Sequence, residues 1–442
     1  MKKISMISLL LLTASFTGFA QEETPEENME KRISTIENSV QTMDNTLQKL
    51  SHLKITGYVH AQFQMTDSMG IINSYAGGAF AKDVDKRFGI RRARLKFVWD
   101  KQDEEMNTMG AAVFQIDFIQ TGVTLRDAYL MGLLPCAKWI GLRVGAFDKV
   151  FGYEVVYSSG TRETPERGRM SQTLFPGEKD LGAEVFIQPT KTSRFNFFKL
   201  QGAVYNGTGV LNNDFDRKKD FIGRLTFFKN NKSESVKYSG GVSYYNGGHK
   251  NATKFKYELG TNADGNPNWN IVDSSADNLS AFSKQIYKGV DGQVNVDWKG
   301  GITSLRAEYI FGNQTGTPTG SATPRTLATG ATDHSYTRSF NGAYFYWVQN
   351  ILHSKHNIVI KYDWYDPNTK VTESQIGQKG TNLTASDIKF STLGLGYYYN
   401  LDENWRFLIY ADMVKNKATQ LAGYTQDVKD NVLTLRVQYR FF

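Results

Sequence analysis

The sequence has one cysteine, Cys136, in 442 residues, so a single chain can form neither a disulfide nor a thiolate metal site. It also has no long apolar run, because the one markedly apolar stretch lies within residues 1–20 and is shorter than the roughly 18 residues that a membrane-spanning helix needs. A membrane protein with this sequence would therefore cross the bilayer as a closed β-barrel, the other structure that satisfies every backbone polar group in lipid.

Catalytic and metal-binding patterns are also missing from the sequence. The six histidines are scattered, and the closest pair, His353 and His356, falls in a predicted turn without a neighbouring carboxylate or cysteine to complete a metal site. No Ser-His-acid set can be placed on one strand face, and no nucleic-acid motif is present. We therefore expect no enzymatic activity, no metal or cofactor, and no nucleic-acid partner.

Proline is scarce, whereas glycine and the aromatic residues are abundant. The chain has 9 prolines against 40 glycines, together with 23 tyrosines and 28 phenylalanines, which is typical of a β-rich chain with many tight turns. The formal net charge is a modest +8, which favours small anions or anionic lipopolysaccharide as partners.

The N-terminal region predicts export. Lys2 and Lys3 precede the apolar segment 4–18, and the small residues of Gly18-Phe-Ala20 suit a cleavage site, so residues 1–20 are predicted to be a signal peptide. The alternative is a short membrane anchor, which the length of the apolar segment disfavours.

Residues 21–53 are predicted to form an acidic spacer followed by a periplasmic coiled-coil helix. Seven apolar residues recur at alternating spacings of four and three: Met29, Ile33, Ile36, Val40, Met43, Leu47 and Leu50. Such a heptad seam needs partner helices, so it predicts association with further copies of the chain without indicating their number. The alternative is an isolated amphipathic helix that lies on a barrel or a membrane.

From residue 54 onwards, the period of the apolar residues changes to two. In the last strand, one face carries Leu433, Leu435, Val437, Tyr439 and Phe441, and the other carries Thr434, Arg436, Gln438 and Arg440. About sixteen segments share this pattern: 54–66, 86–100, 108–120, 123–133, 139–147, 181–188, 196–206, 220–229, 236–246, 285–298, 302–313, 339–351, 356–366, 388–400, 403–415 and 430–441. The pattern predicts an all-β transmembrane barrel over residues 54–442, with about 16 antiparallel strands that are apolar towards lipid and polar inside.

The predicted connections between these strands alternate in length. The tight ones include 134–138, 299–301, 352–355 and 401–403, whereas the long polar ones are 67–85, 148–180, 247–284, 314–338 and 367–387. Short periplasmic turns and long outer loops are typical of transmembrane barrels, and Thr121-Gly122 is the exception. About sixteen strands leave room for an aqueous channel, and loop 148–180 is predicted to fold inwards as its constriction loop.

Several motifs follow one another in a recognisable order. They are Arg87-Phe-Gly-Ile-Arg-Arg-Ala-Arg-Leu-Lys-Phe97, Gly145-Ala-Phe-Asp-Lys-Val-Phe-Gly-Tyr-Glu154, Pro165-Glu-Arg167, Phe175-Pro-Gly-Glu-Lys-Asp-Leu-Gly182, Tyr205-Asn-Gly-Thr-Gly209, Lys219-Asp-Phe-Ile-Gly-Arg-Leu225 and Lys361-Tyr-Asp-Trp-Tyr-Asp-Pro-Asn368. Over roughly residues 54–442 the chain thereby resembles the phosphate-selective porin O and P family. The resemblance implies a sixteen-stranded, trimeric outer-membrane porin whose third loop lines the constriction with basic residues. Loop 148–180 departs from that pattern, because it holds five basic and six acidic side chains.

Inward-facing cations are the first candidates for selecting solutes. Alternation along strand 86–100 turns Arg92, Arg94 and Lys96 towards the lumen, and alternation along a later strand does the same for Arg143. Cations at successive depths suit the binding of a small anion in a water-filled pore. The alternative is a screened wall, neutralised by acidic residues on nearby strands: Asp117, Asp127 and Glu184.

Loop 148–180 supplies a second set of candidates, Arg162, Arg167 and Arg169, which we expect to line the narrowest part of the channel. The alternative is that these arginines pair with Glu163 and Glu166 and only fix the loop against the wall.

These observations lead us to expect a passive diffusion channel for small hydrophilic solutes that leans towards phosphate-type anions. We expect it to be a homotrimer in a Gram-negative outer membrane, in contact with membrane lipid and lipopolysaccharide and small inorganic anions, with its N-terminal helix in the periplasm. One alternative is a structural or adhesive outer-membrane protein with a periplasmic coiled coil. Another is an oligosaccharide channel, which would need a line of inward aromatics such as Tyr58, Tyr205, Phe345 and Trp347.

Overall fold

The computed structural model describes residues 25–441, apart from 72–74, 104–107, 191, 232, 328–329 and 331–332. The predicted signal peptide lies outside the described residues. The chain divides into two units, an N-terminal unit that ends at His52 and a barrel unit that begins at Leu53.

The N-terminal unit contains helix α1, Pro25–Ser51, which confirms the predicted helix. The seven residues of the heptad seam are all exposed, with accessible fractions between 50% and 64%: Met29, Ile33, Ile36, Val40, Met43, Leu47 and Leu50. Among the described residues, no helix is long and apolar enough to span a membrane.

The barrel unit is built from sixteen strands that close on themselves. In chain order, the strands of this unit are β1 (Leu53–Thr66), β2 (Lys86–Gln102), β3 (Thr108–Ile119), β4 (Gly122–Leu134), β5 (Ala137–Asp148), β6 (Lys179–Ile187), β7 (Phe198–Tyr205), β8 (Asp220–Asn230), β9 (Val236–Lys250), β10 (Lys256–Thr261), β11 (Pro267–Asp273), β12 (Phe282–Trp298), β13 (Gly301–Gly316), β14 (Tyr336–Asn350), β15 (His356–Asp366), β16 (Phe390–Asn400), β17 (Trp405–Asn416) and β18 (Val432–Phe441). Strands β10 and β11 form a separate hairpin, and all other neighbours pair in antiparallel fashion. The prediction of a sixteen-stranded antiparallel barrel is confirmed.

The inner and outer faces of the strands differ as a period of two predicts. In β18, Thr434 and Arg436 are buried inside the barrel, whereas Leu435 and Val437 are exposed on the outside. Pairing of β18 with β1, which puts Gly57 opposite Phe441, closes the barrel and leaves no free sheet edge.

Two of the four register shifts in the described part of the barrel are β-bulges that interrupt the alternation on neighbouring parts of the wall. The register between β1 and β2 shifts after His60, which makes Arg91 an extra residue. The register between β3 and β4 shifts after Gln115, which makes Arg126 an extra residue. Because a bulge re-aims side chains, each shift adds an arginine to the inner face.

We expected segment 247–284 to be a long polar loop, but it contains the β10–β11 hairpin, which turns at Gly265 with a φ of +78°. Trp269 of this hairpin is buried and stacks on Tyr336 with ring centroids 4.6 Å apart. The hairpin strands are short and mostly polar, so they give only a weak period-two signal. The long-loop end of the barrel therefore carries ordered structure beyond the barrel wall.

Candidate functional site

Residues 148–180, which connect β5 to β6, run inside the barrel, and we call them the lumen loop. Glu308 on β13 accepts a hydrogen bond from the backbone N–H of Glu154 at 3.1 Å, and Gln438 on β18 donates to the carbonyl of Gly160 at 2.9 Å. The lumen loop is thus tied to two well-separated parts of the wall. Its helix α2, Arg169–Leu174, follows the second of these contacts.

One side of the lumen is filled by aromatic side chains. Phe151 and Phe175 of the lumen loop pack against Tyr245 and Tyr287 of β9 and β12, with ring centroids 5.8 to 6.5 Å apart across the contact. All four side chains are at most 2% exposed. This apolar packing occupies the side of the lumen beside β9 and β12.

Glu166 of the lumen loop binds three arginines of the wall, and we call this group the Glu166 clamp. Its carboxylate accepts hydrogen bonds from Arg91 at 2.8 Å, from Arg92 at 2.7 Å and from Arg436 at 3.4 Å. Burial alone would raise the pKa of Glu166, but the three guanidinium groups outweigh burial and hold the pKa well below its ordinary value. Glu166 is therefore charged at neutral pH and anchors the loop to β2 and β18.

The carboxylates of the other two central glutamates of the lumen loop also have hydrogen-bond partners. Glu163 accepts two hydrogen bonds from Arg306, at 2.8 and 2.9 Å. Glu154 accepts one from the backbone N–H of Gly168 at 3.0 Å and one from the hydroxyl of Tyr346 at 2.6 Å. These carboxylates fix the loop through wall side chains and its own backbone, rather than through the arginines of the loop.

Three of the four predicted wall cations are paired with carboxylates. Arg92 belongs to the Glu166 clamp, and the Nε atom of Arg94 donates to Asp117 at 2.9 Å. Arg143 forms an ion pair with Glu184 at 3.1 Å. These ion pairs correspond to the alternative in which acidic residues neutralise the inward cations of the wall. The main partner of Arg92, however, comes from the lumen loop and not from a neighbouring strand.

A cavity of about 440 Å³ lies between the lumen loop and the wall formed by β1 and β2, and we call it the basic cavity. Seven basic and three acidic residues line it: Arg92, Arg94, Lys96, Arg162, Arg167, Lys179, Arg440, Asp127, Asp148 and Glu178. Glu166 and Asp117 compensate Arg92 and Arg94 from outside this set, which leaves an excess of two basic residues. This excess gives the basic cavity a positive potential, which concentrates small anions there.

Two arginines of the lumen loop that line the basic cavity have donors without an acceptor. Nε and Nη1 of Arg162 and Nη1 of Arg167 are buried and have no hydrogen-bond partner among the described residues, while Nη2 of Arg167 donates to Glu178 at 2.9 Å. Burial and the nearby Arg162 lower the pKa of Arg167 to about 9, which leaves it charged at neutral pH. Buried guanidinium N–H groups without acceptors are costly, so a bound oxyanion would satisfy them.

Arg169, unlike these two arginines, does not line the basic cavity. Its guanidinium group is 4.3 Å from the ring centre of Tyr75 and 4.1 Å from that of Phe390. It lines a second, small cavity, which Arg167 also borders and which contains four carboxylates: Glu166, Asp363, Asp412 and Asp430. The structure thus brings Arg162 and Arg167 together and places Arg169 in more acidic surroundings.

Sequence analysis missed two inward arginines, Arg91 and Arg126. Arg91 belongs to the Glu166 clamp, and Arg126 forms an ion pair with Glu178 of the lumen loop. Both are the extra residues of β-bulges, and strict alternation would turn them outwards. No pattern in a single sequence marks these bulges.

The predicted line of inward aromatics is wrong in β14. Tyr344 and Tyr346 are buried inside the barrel at 2% and 3% exposure, whereas Phe345 faces outwards at 46% and Trp347 shares its face. Four consecutive aromatic residues give no hydropathy contrast, so the face could not be assigned from the pattern. The hypothesis of an oligosaccharide channel proposed four inward aromatic residues, and two of them do not face the lumen.

No protein-family model matches the sequence, and no curated protein matches it. Its fold is similar to that of solved outer-membrane proteins. The outer membrane channel DcaP of Acinetobacter baumannii is 14% identical, with 88% of this chain and 97% of that chain covered and a TM-score of 0.51. OprB of Pseudomonas putida is 11% identical, with 90% and 96% covered and a TM-score of 0.53. The fold is therefore a barrel of the bacterial outer-membrane porin type.

Proposed function

We propose that the protein is a passive diffusion channel for small hydrophilic solutes in a Gram-negative outer membrane, with a preference for anions such as phosphate. The faces of the strands support the membrane location, because outward residues such as Val290 and Val294 are apolar and exposed. One observation carries the anion preference, namely the basic cavity with the unpartnered guanidinium donors of Arg162 and Arg167.

The formal charge of the lumen loop is misleading as a guide to selectivity. Glu163 and Glu166 bind wall arginines, so their charges are compensated where they lie. Arg162 and Arg167, by contrast, line the basic cavity. A loop with one more acidic than basic side chain can therefore present a positive surface to a passing ion.

We expect the purified protein to form ion-conducting pores in planar bilayers, with a reversal potential on the anion side in a salt gradient. Phosphate should reduce the chloride current, because it competes for the same guanidinium donors. Folded, β-rich protein that conducts no ions would contradict the channel. That result would favour the second candidate, a structural or adhesive protein, which the ordered hairpin at the long-loop end supports.

We also propose that the protein is a homotrimer held in part by a periplasmic coiled coil of α1. The exposed heptad seam supports association, and the resemblance to the porin O and P family suggests three copies. Val40→Asp, at the centre of the seam, should shift trimers to monomers in native mass spectrometry, because it puts a charge into the apolar core of a coiled coil. Asn38→Asp, on the helix face opposite the seam, is the matched control and should leave the trimer intact. Monomeric unmodified protein, or a Val40→Asp variant as trimeric as the control, would contradict this proposal.

A further inference from the structure

A third cavity, of about 610 Å³, lies under the β10–β11 hairpin, and we call it the hairpin groove. Its floor includes Lys284 of β12, Asn313 of β13 and Ser339 of β14. Asn313 and Ser339 are opposite each other in the strand register, and the hydroxyl of Ser339 donates to the side chain of Asn313 at 3.2 Å. The hairpin forms the opposite side of the groove through residues such as Tyr257.

The hairpin groove is on the outside of the barrel. Lys284 and Lys288 of β12 are exposed, whereas Gln285 and Tyr287 are buried in the lumen at 3% and 0% exposure. The same outward face continues along the strand to Val290, which is 50% exposed. The groove therefore lies at the long-loop end of the barrel, directly beyond the apolar outer surface.

The lining of the groove combines amides, hydroxyls, aromatic rings, three lysines and two carboxylates, those of Glu258 and Asp273. Its polar uncharged residues include Asn251, Asn278, Asn313, Thr337 and Ser339, and its aromatic residues include Phe255 and Phe282. Lys256 is neutralised by Glu258 at 2.8 Å. Lys284 and Lys370 have no ion-pair partner among the described residues, so their charges are available to a ligand.

We propose that the hairpin groove binds the phosphorylated saccharide headgroup of an outer-leaflet glycolipid. Amides and hydroxyls can exchange hydrogen bonds with sugar hydroxyls, the aromatic rings can pack on sugar faces, and Lys284 and Lys370 can bind phosphate. A lipid-linked saccharide fits better than a free one, because the groove adjoins the surface that faces hydrocarbon. This inference rests on the outer-membrane location in the proposed function.

The test uses full-length protein in mild detergent, with purified lipopolysaccharide as the probe and affinity measured by titration. Dephosphorylated lipopolysaccharide and the delipidated, phosphorylated saccharide serve as comparison ligands. Lys284→Ala combined with Lys370→Ala should weaken binding of lipopolysaccharide about tenfold or more, since it removes two cations that face the headgroup. The matched control is Lys237→Ala combined with Lys299→Ala, which removes two exposed lysines at the short-turn end of the barrel and should leave the affinity unchanged.

Equal affinities of the two double variants for lipopolysaccharide would overturn the proposal. Undiminished binding of the dephosphorylated form would overturn the role of phosphate, and equally tight binding of the delipidated saccharide would overturn the lipid-linked ligand. Conductance is measured on the same preparations and should be the same in the groove variant and the unmodified protein, which also shows that the variant is folded. Protein that binds lipopolysaccharide at the groove without conducting ions would contradict the channel and support the groove.

Discussion

Replacing both Arg162 and Arg167 by glutamine is expected to lower the anion-to-cation permeability ratio about tenfold or more. The reason is that a charge about 8 Å from a passing ion contributes about 2 kcal/mol to the energy of that ion at an effective dielectric constant of about 20. Two such charges favour the anion and disfavour the cation, so their loss acts on both terms of the ratio. The measurement is the reversal potential across a salt gradient. The effect should be largest in dilute salt, since the Debye length falls to about 10 Å at about 0.1 M.

Lysine at the same two positions provides the control for charge. Arg162→Lys combined with Arg167→Lys keeps both cations, so the reversal potential should stay on the anion side. Phosphate should bind more weakly to this variant, because an ammonium group lacks the planar pair of donors of guanidinium. Lys96→Gln tests the wall cation that lines the same cavity. An unchanged reversal potential in the glutamine variant would show that the filter lies elsewhere.

The barrel was predictable because one physical constraint acts on every strand. A shift of one residue in register would turn all the apolar side chains of a strand to the wrong face. Each strand therefore needs a sequence in which apolar residues recur with a period of two. In β12 the outward Val290 and Val294 alternate with the inward Asp291 and Gln293, as the pattern predicted. The heptad seam of α1 was also predictable, because its apolar residues recur with a period of 3.5, which differs from the period of two in a strand.

Bulges were not predictable, because they depend on pairing between strands. Arg91 and Arg126 are turned inwards by a shift in register, and the neighbouring residues in sequence do not differ in kind from those of regular strands. The predicted faces of Phe345 and Trp347 were wrong for another reason, since both lie in the aromatic run Tyr344–Trp347 and Val348 after it is also apolar. In both cases the local pattern contains no contrast that could fix the orientation.

The solute selectivity of the site was only partly predictable from the sequence. The segment Thr161-Arg-Glu-Thr-Pro-Glu-Arg-Gly-Arg169 shows three arginines and two glutamates, which suggests pairing within the loop. The glutamates instead bind arginines of β2, β13 and β18, which are far away in sequence. Which charges remain available to a solute is therefore a property of the folded barrel. The sequence located the loop and its arginines but could not match them to partners.

Glu166→Gln is expected to raise the single-channel conductance and to destabilise the folded protein. The change leaves three guanidinium groups close together without their shared carboxylate, and removal of one partner from a buried ion pair costs about 3–5 kcal/mol. The lumen loop would keep its attachments through Glu154, Glu163 and the carbonyl of Gly160 and would lose the Glu166 clamp. The middle of the loop should then move away from the wall and widen the passage, while the released arginines strengthen the anion preference.

The matched control is Glu163→Gln, because Glu163 lies in the same loop but pairs with a single arginine, Arg306, besides accepting a hydrogen bond from Tyr157. It should change conductance and anion preference less than Glu166→Gln, since it releases one guanidinium group instead of three.

Acidification provides an independent check on the Glu166 clamp. The pKa of Glu166 is depressed, so the clamp is complete above the ordinary glutamate value of about 4.3 and is lost only as the pH falls through the lower folded value. Lowering the pH from about 7 to about 5 should therefore leave the clamp closed and should not reproduce the conductance of Glu166→Gln. If the two glutamine variants conduct alike, the three wall arginines do not hold the loop in place.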